Sequence, residues 1–186
     1  MTDDRRSLAR VPWQTVSSRP IYANPWLQLR EDVAALPDGR RTLYGIVETK
    51  PAVGVLPFTD PATVVLVGQY RYVARAFLWE IPTGGIAPGE SETDAAQREL
   101  AEEAGYRATR LTKLCTFVSS KSILDETAHL YAATGLTPSR HAGDDTEFIE
   151  VKTFAFADVL AMVERSEIVD AMTVIAVMHW ARRPRW

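Results

Sequence analysis

Three glutamates define the chemistry this sequence could do. Glu99, Glu102 and Glu103 follow Arg98 in the run RELAEEAGY over residues 98–106. On a helix, positions three and four apart share a face, so the three acids project to one side and Glu99 and Glu103 lie one turn apart. Like charges at that spacing repel by roughly 0.2–0.5 kcal/mol per pair. A hard cation turns the repulsion into ligation. Carboxylate oxygens suit Mg²⁺, or Mn²⁺ in its place, and Mg²⁺ commonly takes one or two carboxylates together with substrate phosphates. Arg98 can reach Asp94 and Glu102, four residues away on either side, and so hold one acid in place.

The flanking residues predict the elements that carry these acids. Pro82, Gly84, Gly85, Pro88 and Gly89 make a turn-rich approach. Ser91 and Asp94 form an S-x-x-D pattern like a capping box. From Glu92 to Ala104 there is neither Pro nor Gly, and the run is rich in helix formers. Gly105 stands where a left-handed C-terminal cap is expected.

The spacing Gly84, Glu90, Arg98, Glu99, Leu100, Glu102, Glu103, Gly105, Tyr106 resembles the Nudix box, G-x5-E-x7-R-E-U-x-E-E-x-G-U, with U a bulky apolar residue and Tyr106 an aromatic variant at the last position. The resemblance implies an α/β/α sandwich around a mixed sheet and a metal-dependent pyrophosphatase. It implies Glu99 and Glu103 as first-choice metal ligands, Glu102 as an additional or bridging one, and the Thr83 carbonyl as a further one. Glu90 then stabilises the loop and helix start, and Arg98 orients Glu102. In the subfamily that cleaves nucleoside diphosphate sugars, a glutamate before a late strand serves as general base. The matching stretch, residues 122–127, points to Glu126, with Asp125 next to test. Gln69-Tyr70-Arg71 resembles a phosphate-holding Q-x-R segment, and Glu80 is a candidate substrate contact. One departure is visible: ADP-ribose-hydrolysing members usually carry a proline some fifteen residues past the box, and residues 117–121 here read FVSSK.

The rest of the chain is consistent with such an enzyme. With 186 residues it can bury a sizeable core. A net charge of −3 supplies no basic field for nucleic acid or an anionic membrane. A single cysteine, Cys115, excludes an internal disulfide and fits a reducing compartment. No apolar leader stands at the N-terminus and no run reaches membrane-spanning length, so the cytoplasm is the expected location. His129, His141 and His179 are too scattered for a histidine metal site, and no P-loop, zincin or nucleophile-elbow pattern is present.

Taken in order, residues 1–12 read as a polar tail. Residues 13–48 predict three strands of an antiparallel meander, turning at Asn24-Pro25 and at Pro37-Asp38-Gly39. In the resembling subfamily this small sheet helps form a homodimer and the adenine pocket, so residues 1–50 are expected to serve dimerisation and substrate, and 51–186 the hydrolase domain. Tyr22 and Trp26 are candidate aromatic platforms for the base. Residues 52–58 and 63–70 are continuous apolar strands expected to be buried on both faces. Residues 71–83 lead into the glycine loop. Further strands are expected at 110–118, 127–134 and 148–156, with polar loops at 119–126 and 135–146. Helices are expected at 158–165 and 170–183, where Arg182, Arg183 and Arg185 complement the helix dipole. The implied activity is hydrolysis of ADP-ribose to AMP and ribose 5-phosphate. GDP-mannose, UDP-glucose or another nucleoside diphosphate derivative is the alternative substrate, and a non-catalytic nucleotide-binding regulator is the reading of a different class.

Overall fold

The computed structural model describes residues 9–139 and 148–183. His141 and Arg185, most of the tail expected over 1–12 and much of the loop expected over 135–146 lie outside the described residues. The described residues fall into two compact units, one made of residues up to 50 with 118–126, the other of 51–117 with those from 127 on.

In the first unit, β1 (Gln14–Ala23), β2 (Gln28–Ala35) and β3 (Arg41–Glu48) form an antiparallel meander. The turn before β2 is closed by Asn24, whose Oδ1 accepts the backbone N–H of Trp26 and of Leu27 at 2.9 Å each. Gly39, at φ 84°, makes the second turn. Pro20 interrupts β1, which among the described residues pairs only with β2 and so can do without that N–H. The start of β9 (Leu124–Pro138) joins the unit by parallel pairing of Leu124 with Val47 and Asp125 with Glu48.

In the second unit, β4 (Ala52–Asp60) runs parallel to β9 (Leu124–Pro138), and it pairs antiparallel with β5 (Thr63–Arg71) and with the short β7 (Thr83–Gly85). β5 in turn pairs antiparallel with β6 (Ala76–Glu80) and β10 (Glu150–Ala155). β8 (Tyr106–Ser120) precedes β9. Three helices complete the unit: α1 (Glu92–Ala104), α2 (Phe156–Glu164) and α3 (Ala171–Ala181). The apolar strands alternate between two cores, as period-two geometry requires. Val53, Val55, Val65, Val67 and Tyr131 pack with Ala95, Ala96 and Leu100 of α1. Leu56, Phe58, Val64, Leu66 and Leu130 pack with Val159 and Val163 of α2 and Ala176 and Val177 of α3. Helices therefore cover both faces of a mixed sheet. The α/β/α architecture is observed, and the uninterrupted apolarity of β4 and β5 is its direct cause.

Several boundaries differ from expectation. The polar loop expected over 119–126 is only a turn at 121–123, because β8 reaches Ser120 and β9 begins at Leu124. Glu126 therefore lies in a strand, not a loop. β9 also runs on to Pro138, into the stretch expected as loop. Polar side chains on an exposed hairpin leave no apolar alternation to read, yet its backbone pairs all the same. β6 and β7 were hidden for a related reason: five-residue and three-residue strands beside glycines and prolines read as turn.

Candidate active site

The acidic helix is set by its two ends. Ser91 caps α1 in extended geometry, its Oγ accepting the Asp94 N–H at 3.1 Å while its hydroxyl donates to the Asp94 carboxylate at 2.6 Å. Gly105 stops the helix in the left-handed conformation, at φ 73°. Between them Ala95, Ala96 and Leu100 bury one face, and this fixes the roll of the helix.

That roll brings the carboxylates onto β7. Glu103 Oε2 accepts the Thr83 N–H at 2.9 Å. The Glu99 carboxylate lies so close over Gly84 that a Cβ there would overlap it, which explains the glycine in steric terms. Both side chains belong to buried residues. Arg98 binds the rest together. Its guanidinium donates to both oxygens of Glu90 at 2.9 Å, to Glu99 at 2.6 Å, to Glu102 at 3.1 Å and to the Gly85 carbonyl at 2.9 Å. Glu90 also accepts the Ala87 N–H at 2.9 Å, closing the loop onto the helix. The Arg98 fork and that N–H hold the Glu90 carboxyl down at about 2, and Glu90 in return raises the Arg98 pKa. The pairing expected between Arg98 and Asp94 gives way to Glu90, since Asp94 is turned to Ser91. Helical spacing foretold Glu102, but no local rule points eight residues back to Glu90.

Other candidates gather elsewhere. Arg71 and Glu80, considered separately in the sequence, form one ion pair at 2.6 Å across the β5–β6 hairpin. Glu80 is 3% exposed and burial raises its carboxyl pKa. In the first unit, Tyr22 and Trp26 are exposed on either side of Asn24. Glu126, also in the first unit, accepts the Ser119 hydroxyl across the hairpin. A cavity of about 300 Å³ in that unit is lined by Arg30, Tyr44, Lys121 and Asp125 among others, and by none of the box acids. The spacing did not single out Glu92, the first residue of α1, whose carboxylate receives Lys113 Nζ at 2.6 Å and the Tyr131 hydroxyl.

Comparison with known proteins decides the family. The NUDIX domain matches residues 48–172, about two thirds of the chain. The chain belongs to the Nudix hydrolases. Residues 13–47 match the nucleoside diphosphate sugar hydrolase N-terminal domain. The ADP-ribose pyrophosphatase of Bacillus subtilis (strain 168) is 33% identical over 168 residues, covering 89% of this chain and 91% of that protein. The methanol dehydrogenase activator of Bacillus methanolicus shows the same identity and coverage. A crystal structure of an ADP compounds hydrolase superposes with a TM-score of 0.81 over 91% of this chain and 92% of its own, at 23% identity, and so shares the Nudix fold.

Nudix hydrolases generally use divalent metal ions. The residues present fit one by chemistry: Glu99, Glu102, Glu103 and the Thr83 carbonyl offer hard oxygen donors, beside a glycine where a Cβ would displace the Glu99 carboxylate. Among the described residues, no three acidic, histidine or cysteine side chains converge as a preformed cage; the Arg98 guanidinium stands between Glu99 and Glu102.

Proposed function

We propose that this Nudix hydrolase cleaves the pyrophosphate of a nucleoside diphosphate sugar, with ADP-ribose as substrate and AMP and ribose 5-phosphate as products. The observation that carries the reading is the docking of the acidic helix on its glycine strand, with Glu99 over Gly84 and Glu103 on the Thr83 N–H. The names of the relatives in Bacillus subtilis and Mycobacterium tuberculosis, both ADP-ribose pyrophosphatases, support the substrate.

Glu99, Glu103, Glu102 and the Thr83 carbonyl would hold Mg²⁺ or Mn²⁺. Such an ion, when bound, acidifies water and neutralises phosphate oxygens. Water adds to one phosphorus, the P–O–P bridge breaks, and each product keeps a phosphomonoester. Glu126 takes the proton of the attacking water, with Asp125 beside it as the second candidate. Arg71 grips a substrate phosphate with the side of its guanidinium not used by Glu80, and Glu80 holds that guanidinium in place. Tyr22 and Trp26 offer ring faces to the adenine. Residues 1–50 serve dimerisation and the substrate pocket, residues 51–186 the hydrolysis, and the protein works as a cytoplasmic homodimer without nucleic acid or membrane.

A second substrate reading, GDP-mannose, UDP-glucose or a related compound, is favoured by the missing proline in residues 117–121. A relative 22% identical over 166 residues, from Streptomyces rubellomurinus, is named for hydrolysis of a CMP-linked phosphonate. A panel of ADP-ribose, GDP-mannose, UDP-glucose and diadenosine polyphosphates, compared by kcat/KM with Mg²⁺, tests both. Preference for ADP-ribose that disappears in Glu103→Gln supports the first reading. Preference for another compound moves the substrate and keeps the site. No turnover of any with Mg²⁺ or Mn²⁺ moves the reading to an untested pyrophosphate or to a nucleotide-binding regulator.

A further inference from the structure

The metal-binding role proposed for Glu99 and Glu103 depends on how α1 is rolled and tilted, and the structure pins the helix at two places on one face. Glu99 and Glu103 stand seven and eleven residues after Glu92. At 3.6 residues per turn all three fall within about 20° of one line along the helix, and Glu92 lies about 16 Å from Glu103. Glu103 ties the far end of that line to the Thr83 N–H. Glu92 ties the near end to β8 and β9. Its Oε2 receives Lys113 Nζ at 2.6 Å and the Tyr131 hydroxyl, and its Oε1 lies 3.3 Å from His129 Nδ1. His129 Nδ1 is also 3.1 Å from Thr116 Oγ1 and 3.4 Å from Lys113 Nζ.

This cluster is built to hold a carboxylate. Tyr131 is 5% exposed and its ring belongs to the core under α1, so its hydroxyl is delivered from a rigid support. Lys113 lies over the same ring, 5.9 Å from its centre. Hydrogen bonds from Lys113 and Tyr131 lower the Glu92 pKa from the ordinary glutamate value.

We propose that Glu92, with Tyr131 and Lys113, is a positioning residue for the Nudix helix: it anchors the start of the helix in the roll that Ala95, Ala96 and Leu100 set, and so keeps Glu99 and Glu103 on the Thr83–Gly84 strand. The inference rests on the proposed metal role of those two acids. Its test therefore has one arm that needs no metal. Thr83 amide hydrogen exchange is followed by NMR in the unaltered protein, in Tyr131→Phe and Lys113→Met, and in Glu164→Gln as a remote control on α2. Mn²⁺ binding is measured on the same samples by electron paramagnetic resonance without substrate.

The Thr83 amide is expected to exchange roughly threefold to tenfold faster in Tyr131→Phe and Lys113→Met, as fits the loss of one hydrogen bond. Val65 in the central strand and the Glu164→Gln control stay unchanged, and Mn²⁺ affinity falls by a similar factor. An unchanged Thr83 amide overturns the proposal, and so does a uniform acceleration of all amides, which signals general destabilisation. If the unaltered protein binds no Mn²⁺, the metal reading fails by itself and the Thr83 amide alone decides the clamp.

Discussion

Replacing Glu103 by Gln keeps the shape of the side chain and an oxygen for the Thr83 N–H, but removes the charge. Under the proposed mechanism kcat falls by roughly 10²–10³-fold, the range typical of losing one preorganised electrostatic group, while thermal unfolding moves little. Steady-state kinetics beside a melting curve checks both. Gly84→Ala is the complementary change. Its methyl would enter the space of the Glu99 carboxylate, so turnover should collapse although Glu99 itself is intact. Wild-type turnover in Gly84→Ala would show that the Glu99 placement is irrelevant to the chemistry. Glu90 carries the acid limit of the loop. Its carboxyl is depressed from 4.5 to about 2 in the folded chain. The stability it contributes is therefore fully present above about pH 4.5 and is lost as pH falls through 2. Glu90→Gln should flatten the acid decline of Tm between those limits and lower Tm at pH 7, where the ion pair with Arg98 is complete.

At the scale of elements, α1 depends on its stops. Gly105 sits at φ 73°, a conformation that L side chains resist, so Gly105→Ala should cost about 1 kcal/mol. For a chain of this size that lowers Tm by about 2–4 °C. Calorimetry would detect it, and an unchanged melt would mean that the helix end has relaxed. The helix was legible from sequence because its signals are local: a serine cap, a run without Gly or Pro, a terminal glycine. The β8–β9 hairpin was not legible in the same way. Its tip carries Ser119, Ser120, Lys121 and Ser122, which suit a loop, and only cross-strand pairing turns these flanks into strand and places Glu126 within it. The pairing of Arg71 with Glu80 was equally invisible, because residues nine apart meet only if a hairpin folds between them.

At the scale of the whole molecule, the first unit leaves apolar side chains uncovered. Trp13, Val16, Ile21, Tyr22 and Leu43 are 45–65% exposed, and apolar surface left exposed in this way is available to an interface. The homodimer proposed for this protein would use it. Val16→Glu with Ile21→Glu should shift sedimentation towards the monomer, while circular dichroism stays that of a folded chain. A wild-type protein that sediments as a monomer would rule the dimer out.

The sequence alone determined the acids, their helix, the glycine frame and the two-sided burial of β4 and β5, because each is written in spacing within a few residues or in hydrophobic period. Only the tertiary structure decided what those groups touch. That Arg98 clasps Glu90 rather than Asp94, that Glu99 rests on Gly84, and that Lys113 and Tyr131 converge on Glu92 all depend on packing between elements distant in the chain. Side-chain contacts of that range follow from how the helix is rolled onto the sheet, and that roll is set by Ala95, Ala96 and Leu100 against a core drawn from β4, β5 and β9.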